Sequence, residues 1–168
     1  MKHLYLIGGA MGVGKTAACR HLQQMLERSV FLDGDWCWDM HPFVVSDETR
    51  AMVMDNIAHL LGSFLSCSAF DHVILCWVMH QQAIIDELLA RLPLEGVKVV
   101  CVSLVCSEAA LTERLRHDID AGLRAQDVLA RSLAYFPLFG ALGTIKLDTT
   151  ELTAAQTAQA IIRIANEA

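Results

Sequence analysis

No apolar run in the chain exceeds the seven residues Val73 to Met79, whereas a helix needs roughly 20 to cross a bilayer. A membrane span is therefore not expected, although 54% of the residues are hydrophobic. Basic residues are also scarce: 13 Lys and Arg against 19 Asp and Glu leave a net charge of −6. They form no cluster, so the electrostatic footprint that polymeric nucleic acid requires is missing. The six cysteines, Cys19, Cys37, Cys67, Cys76, Cys101 and Cys106, contain no C-x-x-C pair and sit within apolar patterns. They read as reduced core thiols rather than a zinc site or a disulfide framework. No basic segment, apolar core and cleavage site precede the first apolar stretch. With the thiols, this sets the expectation of a cytoplasmic protein. Repeats, low-complexity tracts and Pro/Gly/Ser-rich linkers are absent too, so the 168 residues are expected to form one domain, 1–168.

What is present begins at once. Residues 4 to 20 read as a buried strand, a glycine loop and a helix start, and Gly9, Gly14, Lys15 and Thr16 complete the pattern G-x-x-x-x-G-K-[ST]. Glycines at 8, 9, 12 and 14 let successive backbone N–H groups converge on phosphate oxygens. The helix that follows adds the positive end of its dipole. Lys15 is placed to neutralise β and γ phosphates, and the Thr16 hydroxyl to ligate Mg²⁺. The expected nucleotide contacts are Gly9, Ala10, Met11, Gly12, Val13, Gly14, Lys15, Thr16 and Ala17.

Helical spacing of Ala18, Leu22, Met25 and Leu26 carries the helix to about Arg28, and Val30 to Leu32 make a short strand. That strand ends in Asp33-Gly34-Asp35. In an open α/β sheet, carboxylates at the carboxyl end of a strand face the preceding loop; a turn held by local Asp hydrogen bonds is the alternative. Residues 36 to 46 lack a clean period, and Trp36, Trp38 and His41 are either pocket-lining or packing residues. Ser46 caps a helix with acids in its first turn, which runs to about Cys67. His72 to Val78 is a strand suited to cover on both faces. Many phosphate-loop proteins end this strand with an Asp that helps hold Mg²⁺, but here it closes Trp77-Val78-Met79-His80 without an acid. A helix over Gln81–Arg91, a strand over Lys98–Val105 and a helix opened by Ser107 and Glu108 follow. This alternation implies a mainly parallel sheet. The basic stretch from Arg114 to Arg124 is a candidate mobile lid, at about 115–127, or a solvated helix surface. A helix from Ala125 to Tyr135 carries Arg131, Thr144 to Leu147 form a last strand, and Thr153 with Gln156 form a capping box.

On Gly9–Thr16, Phe31-Leu-Asp-Gly-Asp35, Arg114 and Leu147-Asp-Thr-Thr150, the chain resembles the phosphate-loop small-molecule kinases. That group includes shikimate kinase, gluconate kinase, adenylylsulfate kinase and a chloramphenicol phosphotransferase. The resemblance implies a three-layer phosphate-loop NTPase fold of the nucleoside-kinase type, with five parallel strands in the order 2-3-1-4-5 and a short lid. It implies Asp33 as support for Mg²⁺ and Asp35 as base toward the acceptor hydroxyl. It also implies Arg114 against adenine, Asp148 to Thr150 beside it, and a lid arginine, Arg124, on the phosphates.

The expected activity is transfer of the γ-phosphoryl group of Mg-ATP to a hydroxyl of a small-molecule acceptor, by a monomer or homodimer. An acceptor segment at about 36–67 would include Trp36. Arg50, the one Lys or Arg between Arg28 and Arg91, would recognise an anionic acceptor, with Arg131 as a second candidate; pairing of Arg50 with Asp47 or Glu48 is the alternative. A nucleotide-binding switch or weak ATPase acting through a protein partner, and a nucleoside or nucleotide kinase, are the competing readings.

Overall fold

The computed structural model describes residues 1–167. Five strands, β1 (Lys2–Gly9), β2 (Ser29–Asp33), β3 (His72–Cys76), β4 (Val97–Val105) and β5 (Ile145–Asp148), form one parallel sheet in the order 2-3-1-4-5. The apolar runs explain the centre of the sheet. Leu4 to Ile7 and Val73 to Cys76 are buried without alternation because helices cover both faces. Burying each such Leu or Ile contributes about 1.5–3 kcal/mol before entropy is counted.

Six helices complete the described chain: α1 (Lys15–Met25), α2 (Asp47–Ser66), α3 (Gln82–Ala90), α4 (Glu108–Asp120), α5 (Val128–Tyr135) and α6 (Ala154–Glu167). α1 and α6 pack on each other. Because parallel crossovers are right-handed, the strand order calls for those that run the other way across the sheet to lie on the opposite face. Ser46 caps α2 in a reciprocal pair with Thr49, and Thr153 with Gln156 closes the capping box before α6.

Several boundaries differ from the sequence expectation. α1 stops at Met25, three residues early, because Arg28 adopts φ 53 to turn the chain and the Ser29 hydroxyl bonds back to the Gln23 carbonyl. The segment after Asp33 is a short 3-10 helix, Gly34–Trp38, rather than irregular chain. β3 ends at Cys76, two residues before Val78, because only that far does it pair with β1 and β2. α4 continues through Asp120, and a Schellman pairing at Gly122 ends it: Gly122 N–H to the Ile119 carbonyl, Leu123 N–H to the Asp118 carbonyl. The non-helical part of the expected lid is thus only 121–127, and α5 begins at Val128 rather than Ala125. Nor are all the thiols core residues: Cys19, Cys76 and Cys106 are buried, Cys37 and Cys101 partly so, and Cys67 is exposed. No helix among the described residues is long and apolar enough to cross a membrane.

Candidate active site at the phosphate loop

The loop leaves the buried end of β1 and enters α1 through Gly14, whose φ of 103 favours glycine and whose open side has nothing within 4 Å of where a Cβ would stand. The first helical bond runs from Ala18 N–H to the Gly14 carbonyl. The preceding N–H groups, Gly14 to Ala17, therefore have no helical partner and face the dipole end of α1. Free donors around an open cradle suit a phosphate group. The buried Ser132 of α5 donates to the Met11 carbonyl at 2.6 Å and holds the loop from the other side.

Lys15 folds over this cradle, its ammonium donating to the carbonyls of Gly9 and Ala10 at 2.9 and 3.0 Å. Burial lowers its pKa, while Cys76, Asp35 and Asp33 act in the opposite direction. One helical step on, the Thr16 hydroxyl donates to Asp33 Oδ2 at 2.9 Å. The other Asp33 oxygen accepts the Asp35 N–H at 3.1 Å, so the buried Asp33 caps the 3-10 helix and orients Asp35. The acidic turn thus makes local hydrogen bonds and also faces the loop. Two hard oxygens 2.9 Å apart at the foot of the loop suit Mg²⁺ when nucleotide phosphates supply further ligands. Among the described residues no three His, Cys, Asp or Glu side chains could hold a metal by themselves.

Asp35 is exposed to solvent. Its carboxyl is nonetheless raised above the ordinary range, first by burial and then by Asp33, with Lys15 and Arg124 pulling it back. Arg124 therefore lies within electrostatic reach of both Lys15 and Asp35, and it pairs with Asp118 of α4 at 2.9 Å.

On the other flank, Arg114 of α4 donates to the carbonyls of Val13, Thr149 and Thr150 at 3.2, 2.7 and 3.3 Å, and to the Thr149 hydroxyl. It ties the loop to the turn after β5, where Thr150 bonds to Asp148. The aromatic segment is open. Trp36 is 52% exposed, meets Phe31 edge to face, and lies with that ring under the Arg20 guanidinium. Arg50 pairs with Asp47 at 3.0 Å and Arg131 with Asp127 at 3.1 Å, both exposed.

The structure adds residues that the sequence did not single out. Arg20 and Ser132 act through distant segments and left no local signal, whereas Thr149 lies in the Asp148–Thr150 stretch that the resemblance implies beside adenine. Cys76 is another residue that the structure adds: its thiol stands 3.8 Å from the Thr16 hydroxyl at the end of β3, a position that the strand pairing fixes. It stands at the strand end where many phosphate-loop proteins carry an Asp.

No curated protein sequence matches the chain. Among solved structures, a gluconokinase from Sinorhizobium meliloti 1021 aligns with 98% of this chain and 94% of its own, at TM-score 0.70 and 20% identity. A shikimate kinase from Acinetobacter baumannii in complex with shikimate covers 99% and 94% at 0.65 and 21%. The APS kinase of Mycobacterium tuberculosis, in complex with AMPPNP and APS, covers 98% and 98% at 0.64 and 14%. These likenesses establish a fold shared with phosphate-loop small-molecule kinases. The AAA domain model matches residues 6–127, from inside β1 to the residue before α5, and the chain belongs to the AAA domain family.

Proposed function

We propose that this protein transfers the γ-phosphoryl group of Mg-ATP to a hydroxyl of a small molecule. The observation that carries the reading is one corner of the fold. Asp33 links the loop hydroxyl of Thr16 to the backbone of Asp35, and Lys15 and Arg124 act on the same Asp35 carboxylate. A nucleotide-binding scaffold alone does not need a second, solvent-edged acid held beside the phosphate cradle.

Residues 9–17 cradle the phosphates, with the Lys15 ammonium exchanging its carbonyl partners for phosphate oxygens. Thr16 and Asp33 hold Mg²⁺, which when bound offsets charge on the phosphates. Asp35 accepts the proton of the acceptor hydroxyl, a role favoured by its raised pKa. Arg124 closes from the lid side over the transferring group. Arg114 and Thr150 border the base, and Trp36, Arg50 and Arg131 offer the acceptor an aromatic face and cations. The structural likeness to a gluconokinase and a shikimate kinase supports the reaction class.

The deciding experiment is ADP release measured against a panel of hydroxylated acceptors, each compared with the rate in water. Acceptor-dependent release that Asp35→Asn abolishes supports the kinase reading. Release that no acceptor stimulates turns the assignment to a switch or weak ATPase.

A further inference from the structure

Asp33 and Cys76 are register partners on adjacent parallel strands, so their side chains stand on the same face at the carboxyl edge of the sheet. Thr16 comes down on them from α1, its hydroxyl 2.9 Å from the Asp33 carboxylate and 3.8 Å from the Cys76 sulfur. Both Asp33 and Cys76 are nearly inaccessible, at 6% and 1% exposure. The cation corner of the loop is therefore lined by a hydroxyl, a carboxylate and a thiol.

We propose that Cys76 determines cation choice in the nucleotide complex, giving this site a preference for a thiophilic divalent cation of the Zn²⁺ class over Mg²⁺. The Thr16–Asp33 and Thr16–Cys76 spacings each allow an ion to touch both members of the pair. Oxygens about 2.1 Å from a cation and 2.9 Å apart subtend close to a right angle. An oxygen at about 2.1 Å and a sulfur at about 2.3 Å that are 3.8 Å apart subtend about 120°. Both suit a small divalent ion that nucleotide phosphates complete. Hard Mg²⁺ gains nothing from sulfur, whereas thiolate ligation selects softer metals. On ligation the Cys76 S–H bond breaks, its proton passes to solvent and a sulfur–metal bond forms, with no change of oxidation state. Because the protein groups alone are too few to hold a metal, the preference appears only with nucleotide bound, and it rests on the nucleotide reading above.

The test uses the full chain with AMPPNP, titrated with Cd²⁺ or Mg²⁺. Cd²⁺ added to the wild-type nucleotide complex is expected to produce one equivalent of thiolate-to-cadmium absorption. Cys76→Ser and Cys76→Ala both lose it, while Cys67→Ser, at an exposed thiol, keeps it. Calorimetry should show Cd²⁺ affinity of the complex reduced about tenfold or more in both Cys76 variants, with Mg²⁺ affinity changed by less than about threefold. Two variants of different polarity guard against one that does not fold. Unchanged Cd²⁺ affinity, or absorption that persists in both variants, overturns the proposal while leaving nucleotide binding standing. Failure of AMPPNP to bind the wild type even with Mg²⁺ overturns this proposal and the kinase reading together.

Discussion

At the scale of single residues, the two charged groups of the corner make different contributions and separate cleanly by mutation. In the proposed function Lys15 meets the nucleotide, and its ammonium donates to the Gly9 and Ala10 carbonyls. A charge-assisted bond to phosphate is worth about 1.5–3 kcal/mol, so Lys15→Ala should weaken Mg-ATP binding by at least tenfold in calorimetry and abolish transfer. Asp35 has no bond that the nucleotide needs. Asp35→Asn should leave ATP affinity within about twofold and lower acceptor phosphorylation about a hundredfold, the scale of a positioned base. Its titration supplies a second check. A base works ionised, so activity falls as pH drops through the Asp35 pKa. Arg124 holds that pKa down, so Arg124→Ala should move the acidic limb of kcat/KM to higher pH. An unmoved limb would remove Arg124 from the site.

At the scale of elements, the loop is gripped by helices that come from far along the chain. α4 presses Leu115 against Gly12 so closely that a Cβ there would stand 2.6 Å from Leu115 Cγ and closer still to Cδ2, at a φ of 84. Gly12→Ala should therefore cost stability, about 1–3 kcal/mol by denaturant midpoint, through overpacking and backbone strain. Gly14 has the strained φ without the clash. Gly14→Ala should lose nucleotide affinity out of proportion to its smaller loss of stability, since the new methyl enters the cradle. Equal effects of the two changes on stability and binding would contradict this division. Arg114 extends the same grip to the turn after β5.

At the scale of the whole molecule, the sheet has a chemical end and a structural end. Opposite the loop, His3 stacks on His72 with ring centroids 5.2 Å apart, and the Tyr5 hydroxyl lies 3.3 Å from His72 Nδ1. Burial lowers both histidine pKa values from 6.5, helped at His3 by His72, Lys98 and the N-terminal amine and opposed at His72 by Asp71. The unfolded chain then binds more protons than the native one between the lowered values and 6.5. The contribution of this pair to stability should be level above pH 6.5, fall as pH drops below it and level again under the native pKa values. Thermal unfolding across this range should show a smaller acid loss in His3→Phe than in the wild type.

By itself the sequence determined the strand order through the family resemblance, and determined the loop because its chemistry is local: Gly14, Lys15 and Thr16 must be contiguous to place N–H groups, ammonium and hydroxyl around one phosphate. The acidic turn was legible for the same reason, since Asp33 reaches both Thr16 and Asp35 across a single strand end. Tertiary structure decided what depends on long-range register. Only the pairing of β3 with β1 and β2 shows that the strand stops at Cys76, which brings a thiol rather than an acid under Thr16. Only packing shows that Ser132 holds Met11, that Arg114 grips three distant carbonyls, and that Arg20 covers Phe31 and Trp36. Those contacts join residues whose separation along the chain carries no periodic signal, so their geometry exists only once the sheet has aligned its strand ends.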